Sequence, residues 1–243
     1  MSDLLRFVED DLQIIALCFM GAVYILRIRW ILSFKAGRER QPANCQAGVS
    51  PSEAIIYSLT NVLRPMGMES TRLRLPFYAQ FVIFHLGAAA GIGMSFLIPY
   101  VPGLMKYSFI VLGFQVVMGL AAAVGIYRLY RRLSDPVMRL ISTPDDIFSL
   151  LLLTVWMISA VWAAPNRPQE GEAPLMIYFL LTTFFLIYVP FSKISHYLYY
   201  PFARFYFGKT MGHRGVFPLK PCPPADSEGR GQNLTNAGVS DAG

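Results

Sequence analysis

The sequence predicts an all-α membrane protein, a bundle of five transmembrane helices with its N-terminus outside and its C-terminus in the cytoplasm. Of its 243 residues 54% are hydrophobic and only 15% are charged, and the mean hydropathy is +0.44. Such a composition is too apolar for a water-soluble domain. Long apolar windows alternate with polar segments, and the basic residues fall on alternate segments. These observations together predict repeated crossings of a bilayer.

Each of the expected spans is an apolar window of roughly the 20 residues that a helix needs to cross the hydrocarbon core. The first is expected to be retained, because the acidic segment before it has only Arg6 as a basic residue, whereas a secretory signal begins with positive charge. We expect a membrane domain over 1–205 and a cytoplasmic tail over 206–243, disordered after about 214 because it is rich in Pro, Gly and Ser. The windows cover 12–34, 76–100, 107–127, 147–164 and 174–199.

The distribution of Lys and Arg predicts the orientation. Segments 27–75, 128–146 and 192–243 hold 8, 4 and 6 of these residues. Because basic residues accumulate on the cytoplasmic side, those three segments are expected inside. The net charge of +6 then follows from topology and requires no nucleic-acid partner. The remaining basic residues are Arg6, Lys106 and Arg167.

The first cytoplasmic segment is long enough to hold a helix of its own. Ser50-Pro51-Ser52-Glu53 reads as a capping box with Pro at the first helical position, which predicts a helix near 51–63. This helix is expected to lie against lipid or the bundle, or else to receive a soluble partner. Its apolar face would comprise Ile55, Ile56, Leu59, Val62 and Leu63.

Two of the three histidines lie in predicted spans, where ionisable side chains are costly and usually functional. His85 and His196 both fall in the inner half, although helical rise places them about two turns apart in depth. Two neutral imidazoles on facing helices are the ligands that a low-spin b-type haem needs. Small residues over 87–93 would either make room for a macrocycle or allow close helix packing. His213 lies in the tail and is expected to be solvated.

Basic residues near the inner ends of two spans are candidates to pair with haem propionates, because guanidinium groups match carboxylate geometry. Arg27 and Arg29 end the first span, and Arg128 follows the third. Most cations in these segments are expected to serve orientation and lipid head groups. Cysteines 18, 45 and 222 lie too far apart for an iron–sulfur or structural zinc site, so any such cluster is expected on another subunit.

Three segments of this chain resemble one family of membrane cytochromes b. They are FHLGAAAGIGMSFLIP at 84–99, RRLSDPVMRLISTPDDIFSLLLL at 131–153 and YVPFSKISH at 188–196. In these segments the chain is similar to the gamma subunit of respiratory nitrate reductase and to the related subunits of sulfate-reducer transmembrane redox complexes. The resemblance covers roughly residues 10–205 and is most specific in the third segment.

The resemblance implies a haem site, and it also implies that this site holds one haem where the family holds two. The family holds two haems between its second and fifth helices, with paired histidines on each helix. Here one histidine of each pair is kept, namely His85 and His196, while Ser95 and Tyr178 stand at the other two ligand positions. The resemblance therefore implies one haem b near the inner face and loss of the outer haem site. The resemblance also places Lys106 near a quinone site, whereas its position at the end of a span equally suits a lysine that extends to the membrane interface.

The resulting functional expectation is an electron-transfer subunit of a bacterial inner-membrane respiratory complex, not catalytic alone. Its expected partners are lipid, quinone or quinol, a cytoplasmic iron–sulfur subunit and further membrane or c-type cytochrome subunits. A haem-free membrane anchor for soluble redox subunits is the alternative. A transporter or channel is disfavoured, because the spans offer almost no polar path through the midplane.

Overall fold

The computed structural model describes residues 1–35, 37, 40, 50–67 and 69–214, with the backbone alone at Ser70 and His213. Every regular element in these ranges is helical, which confirms the all-α prediction. The α-helices are α1 (Asp3–Glu9), α2 (Asp11–Ser33), α3 (Pro51–Thr60), α4 (Glu69–Arg72), α5 (Leu75–Tyr100), α6 (Ser108–Ser134), α7 (Pro136–Ile141), α8 (Pro144–Ala163), α9 (Ala173–Tyr188) and α10 (His196–His213). Short 3-10 turns occupy Asn61–Leu63, Pro65–Gly67, Pro102–Lys106, Val189–Phe191 and Lys193–Ser195.

In the part of the chain that the structure describes, five helical segments are long and apolar enough to cross a membrane, as predicted. Only 6% to 44% of each apolar window is buried within the protein, so most of its apolar side chains face outward. Lipid is the solvent that accepts such a surface, and the chain is a multi-pass membrane protein. The predicted orientation of the termini stays a prediction. The segments are Asp3–Ser33, Leu75–Tyr100, Ser108–Ser134, Pro144–Ala163 and Ala173–Phe191.

The fifth span is where the predicted boundaries differ most from the structure. The predicted helix over 174–199 ends at Tyr188, and two 3-10 turns separate it from α10, which begins at His196. Pro190 lies in the first turn, and proline has no N–H to continue the helical hydrogen bonds. The hydropathy window ran across this interruption because the residues on both sides of it are apolar.

The bundle is held by small residues and by buried polar contacts. A Cβ on Gly87 of α5 would overlap the Cβ of Ala121 of α6, so these two helices approach closely. Helix α2 is fixed to α9 by Gln13, whose Nε2 donates to the carbonyl of Phe179 at 2.9 Å and to the hydroxyl of Thr183 at 2.7 Å. In lipid such hydrogen bonds compensate for burying polar groups that have no water to contact.

The described chain forms two compact units. The first comprises Met1–Lys35 with Pro65–Leu198, and the second comprises Ala36–Arg64 with Tyr199–Gly243. Helix α10 therefore contributes to both units and runs through His213, so the predicted domain boundary at 205 is not the end of a helix. The predicted disorder after about 214 lies outside the described residues.

Helix α3 belongs to the second unit and begins at Pro51, as predicted. The hydroxyl of Ser50 bonds that of Ser52 and makes no cap hydrogen bond, so the predicted capping box is not formed. The buried face of α3 also differs from the predicted apolar face. It carries small side chains, which allow close contact between α3 and α10. A Cβ on Gly208 would lie 2.7 Å from the Cα of Ile55. The buried positions are Ala54, Ser58 and Asn61, whereas Ile56 and Leu63 are exposed.

Candidate functional site

The structure brings His85 of α5 and His196 of α10 together. Their ring centroids are 6.2 Å apart, and the ring planes are nearly perpendicular, at 83°. The depth mismatch expected from helical rise is removed because the chain between α9 and α10 is not one continuous helix. Two 3-10 turns and the extended residue Ser192 replace it.

The ring of His85 is oriented by its own helix. Its Nδ1 lies 2.7 Å from the carbonyl oxygen of Phe81, one turn earlier. A carbonyl oxygen only accepts, so Nδ1 carries the proton and donates this hydrogen bond. In the neutral imidazole Nε2 then holds the free lone pair. The centroid of the Phe81 ring lies 4.1 Å from that of His85 and limits its rotation.

The ring of His196 is oriented by the turn that precedes it. Its Nδ1 donates to the carbonyl oxygen of Lys193 at 3.2 Å, which again leaves Nε2 with a free lone pair. The ammonium of the same lysine donates to the hydroxyl of Thr143 at 2.9 Å and to a carboxylate oxygen of Asp146 at 3.0 Å. The residue that fixes the imidazole is thus itself fixed to the start of α8.

This connection to α8 was not anticipated from the sequence. Thr143 and Asp146 form a full capping box, in which the Asp146 carboxylate accepts from the Thr143 backbone N–H at 2.8 Å. The pattern Thr-Pro-Asp-Asp was a sufficient signal for this cap. That Lys193 would complete it was not readable, because 47 residues separate the lysine from Asp146.

The spacing of the two ring centroids can be compared with that of two imidazoles bound on opposite sides of one metal ion. Bonds of about 2 Å from a metal to two opposed imidazole nitrogens, plus about 1.2 Å from each nitrogen to its ring centre, give roughly 6.4 Å between centroids. The observed 6.2 Å agrees. Both side chains are exposed rather than packed into the protein. Among the described residues no group of three or more His, Cys, Asp or Glu side chains could hold a metal ion.

The three candidate arginines occupy different surroundings. The guanidinium of Arg27 lies 5.6 Å from the ring centre of Phe191, in the turn that leads to His196. That of Arg128 lies 5.7 Å from the ring centre of Phe84, next to His85 in sequence but on the buried face of α5. Arg29 lies two residues beyond Arg27, on nearly the opposite side of α2. It lines a shallow surface groove formed by that helix alone.

Two of the small residues that follow His85, Gly87 and Gly91, serve helix packing. A Cβ on Gly91 would lie 2.6 Å from the ring of Trp156 on α8, and Gly87 faces α6 as described above. Ala89, one turn after His85 on the same face of the helix, is exposed. The small residues over 87–93 were expected either to make room for a macrocycle or to allow close helix packing. The buried glycines among them serve close packing.

Ser95 and Tyr178, which the resemblance places at two ligand positions of the family, have protein partners. The hydroxyl of Tyr178 donates to the carbonyl oxygen of Gly91 at 2.6 Å, and the side chain is fully buried. Its ring stacks on Trp156 with centroids 6.1 Å apart. The hydroxyl of Ser95 donates to the carbonyl of Ile92 at 2.8 Å. The interior of the bundle is filled here by direct contact between α5, α8 and α9.

Lys106 lies away from the histidine pair. It ends the 3-10 turn after α5, whose last residue, Tyr100, is about 22 Å from His85 by helical rise. There it lines an open cavity of about 950 Å³ together with Glu9, Gln115 and other residues at the helix ends. The structure therefore does not join the lysine and the histidines into one site.

Comparison of the chain with protein-family models, with curated proteins and with solved structures finds no match.

Proposed function

We propose that this chain is a haem b-containing membrane subunit of a respiratory oxidoreductase complex. It relays electrons between the quinone pool and an iron–sulfur subunit on the cytoplasmic side through one haem, held by His85 and His196. The observation that carries the proposal is the separation of 6.2 Å between two imidazoles whose Nδ1 atoms are both bonded to backbone carbonyls. The resemblance to the nitrate reductase gamma family supports the same assignment.

In this proposal the protein contributes the two ligands and fixes their orientation. A bound haem supplies a one-electron redox centre. His85 and His196 present Nε2, because the carbonyls of Phe81 and Lys193 hold the Nδ1 protons. The guanidinium of Arg27, in contact with the turn before His196, is the best-placed of the candidate cations for a propionate. Arg29 and Arg128 remain weaker candidates for the same role.

The proposal includes only one haem. Full burial of Tyr178, together with its hydrogen bond to Gly91, supports loss of the second site of the family. A single haem near one face covers only part of the distance across the bilayer. Quinone exchange near this haem, or relay to another membrane or c-type cytochrome subunit, therefore stands beside transfer across the membrane. A quinone site at Lys106 stays a prediction from the resemblance.

The proposed location is the bacterial inner membrane, with the basic loops in the cytoplasm. Residues 27–75 alone hold 8 Lys and Arg. Such a surface attracts an acidic partner and speeds its encounter, which suits docking of a soluble redox subunit. The alternative is a haem-free anchor for such subunits. It would use the same surface but has no need for a matched pair of histidines.

The decisive measurement is the reduced-minus-oxidised absorption spectrum of the purified chain, with its haem-to-protein ratio. We expect a b-type signal near one haem per chain that disappears in His85→Ala and in His196→Ala. His213→Ala is the matched control and should keep the signal, because that residue lies outside the proposed site. If the chain lacks haem although the cells were supplied with it, the ligand assignment fails and the anchor function is favoured.

A further inference from the structure

The cavity at the other end of the first unit has the size of a ligand site. It lies where α5 ends and α6 begins, beside the end of α1 and the loop between α8 and α9. Its volume of about 950 Å³ is near the upper end of the range of about 300–1,000 Å³ typical of small-molecule sites. Because it is formed at the ends of membrane-spanning helices, it lies at the level of the lipid head groups.

A buried carboxylate lines this cavity, and one of its oxygens has no hydrogen-bond partner among the described residues. Glu9 is only 7% exposed, and its Oε2 has no partner among the described residues. An unpaired buried carboxylate is costly, and the group that best compensates it is a cation that donates hydrogen bonds. The terminal torsion of a Glu side chain is soft, so a small rotation turns an oxygen towards the cavity.

Cationic side chains line the same cavity. Lys106 and Arg167 are both exposed. Arg167 donates through one nitrogen to Glu170 at 3.0 Å, which leaves its other donors for a ligand. The lining side chains carry one carboxylate and two cations, and the terminal ammonium of Met1, at the same cavity, is paired with Glu172 at 3.6 Å. This set of charges matches a ligand that carries both signs of charge.

The remaining wall of the cavity is apolar and continues onto the lipid-facing surface. Ile98 of α5 and Val111 and Leu112 of α6 contribute to it, and Leu112 is 60% exposed. A ligand that fills the cavity and follows this wall therefore needs hydrocarbon as well as a charged head. A free head-group compound in solution does not satisfy that wall.

We propose that the cavity binds a phospholipid with a phosphoethanolamine head group. The primary ammonium donates to Glu9, the phosphate accepts from Lys106 and Arg167, and the acyl chains lie along the wall formed by α5 and α6. A choline head group has no N–H to donate, and a glycerol head group has no cation. The carboxylate therefore makes the site selective for ethanolamine among the common head groups.

Native mass spectrometry of the delipidated full chain tests this proposal. Phosphatidylethanolamine, phosphatidylcholine and phosphatidylglycerol with identical acyl chains are titrated separately. We expect one site that binds the ethanolamine lipid on the order of tenfold more tightly than either of the others. Glu9→Gln should abolish the preference over choline lipid, whereas Lys106→Gln should weaken binding of both, because they share the phosphate.

Asp11→Asn is the matched control, since it removes an exposed carboxylate two residues from Glu9 that does not line the cavity. It should keep the preference. Equal affinity of the original chain for the three lipids overturns the proposal even if Glu9→Gln does not fold. Equally tight binding of soluble glycerophosphoethanolamine, or displacement of the lipid by a quinone at equal concentration, overturns it as well. The outcome is independent of haem binding at the histidines.

Discussion

His196 shows how the orientation of a single side chain is fixed by its neighbours. Its Nδ1 is bonded to the carbonyl of Lys193, and the ammonium of that lysine is bonded to Thr143 and Asp146. Two consecutive steps therefore connect the imidazole to the first turn of α8, and the second step consists of two hydrogen bonds from the same ammonium. Ring orientation at this position depends on a residue far away in sequence, and outer contacts of this kind control how well a histidine binds a metal.

The two partners of this connection should differ in their effect on stability. Asp146→Ala removes the carboxylate half of the capping box of α8 together with the ion pair, so we expect the free energy of unfolding to fall by about 1–2 kcal/mol. Lys193→Met removes only an ion pair that is largely exposed and should cost less than about 1 kcal/mol. Titration of the purified chain with a denaturing detergent measures both. Glu170→Ala, in the exposed pair with Arg167, is the control and should cost least; equal losses for Asp146 and Lys193 variants would contradict the separate role of the cap.

At the scale of the helices, glycine marks where two elements touch. Gly91 lies against the ring of Trp156, which is held in turn by a hydrogen bond from its Nε1 to Thr182 at 2.9 Å. Gly93, on the same helix, has no atom within 4 Å of an added Cβ. Glycine therefore allows a close helix contact at position 91, whereas at position 93 it contacts no neighbouring helix.

Substitution of these glycines should separate packing from helix propensity. Gly91→Ala forces a methyl group against an immobilised ring, and we expect a loss of about 1–3 kcal/mol in the free energy of unfolding. Gly93→Ala places its methyl group in open space and should stabilise α5 by up to about 1 kcal/mol, because alanine favours the helix. Denaturing-detergent titration of the two variants measures the difference. Similar values for both would show that α5 and α8 do not approach as closely as described.

At the scale of the whole molecule, the orientation of the bundle is still an expectation from charge. The loop between α8 and α9 contains Arg167 as its one basic residue, whereas the segments assigned to the cytoplasm hold 18 Lys and Arg. Helix α7 lies between α6 and α8, and its Leu140 is 87% exposed. The loop between α8 and α9 and helix α7 are therefore expected on opposite sides of the membrane. A chemical probe applied from one side can distinguish them.

Single cysteines can report the side of each connection in intact cells. In a chain whose native cysteines are replaced by serine, Gln169→Cys should react with a membrane-impermeant maleimide from outside. Leu140→Cys should react only after the membrane is permeabilised, because the basic segments that surround it remain inside. The same labelling after permeabilisation controls for accessibility of each cysteine. The reverse pattern would invert the topology and with it the proposed cytoplasmic docking surface.

The sequence by itself determined the solvent and the class of this protein. Hydropathy is a property of each residue and its near neighbours, so the five spans and the all-α class were predictable without any contact. Local chemistry likewise predicted that α3 begins at Pro51. The same locality explains the error in the fifth span, since a hydropathy average does not register one proline among apolar residues.

Only the tertiary structure decided which faces meet. The pairing of His85 with His196, the burial of Tyr178 against Gly91 and the unpartnered carboxylate of Glu9 each depend on how a helix is rotated and how far its neighbour reaches. Rotation and depth are set by contacts between residues that are distant along the chain. The sequence of one helix does not reveal those contacts. Several faces of the helix have similar hydropathy, and packing against neighbouring helices, rather than helix propensity, decides which face is buried.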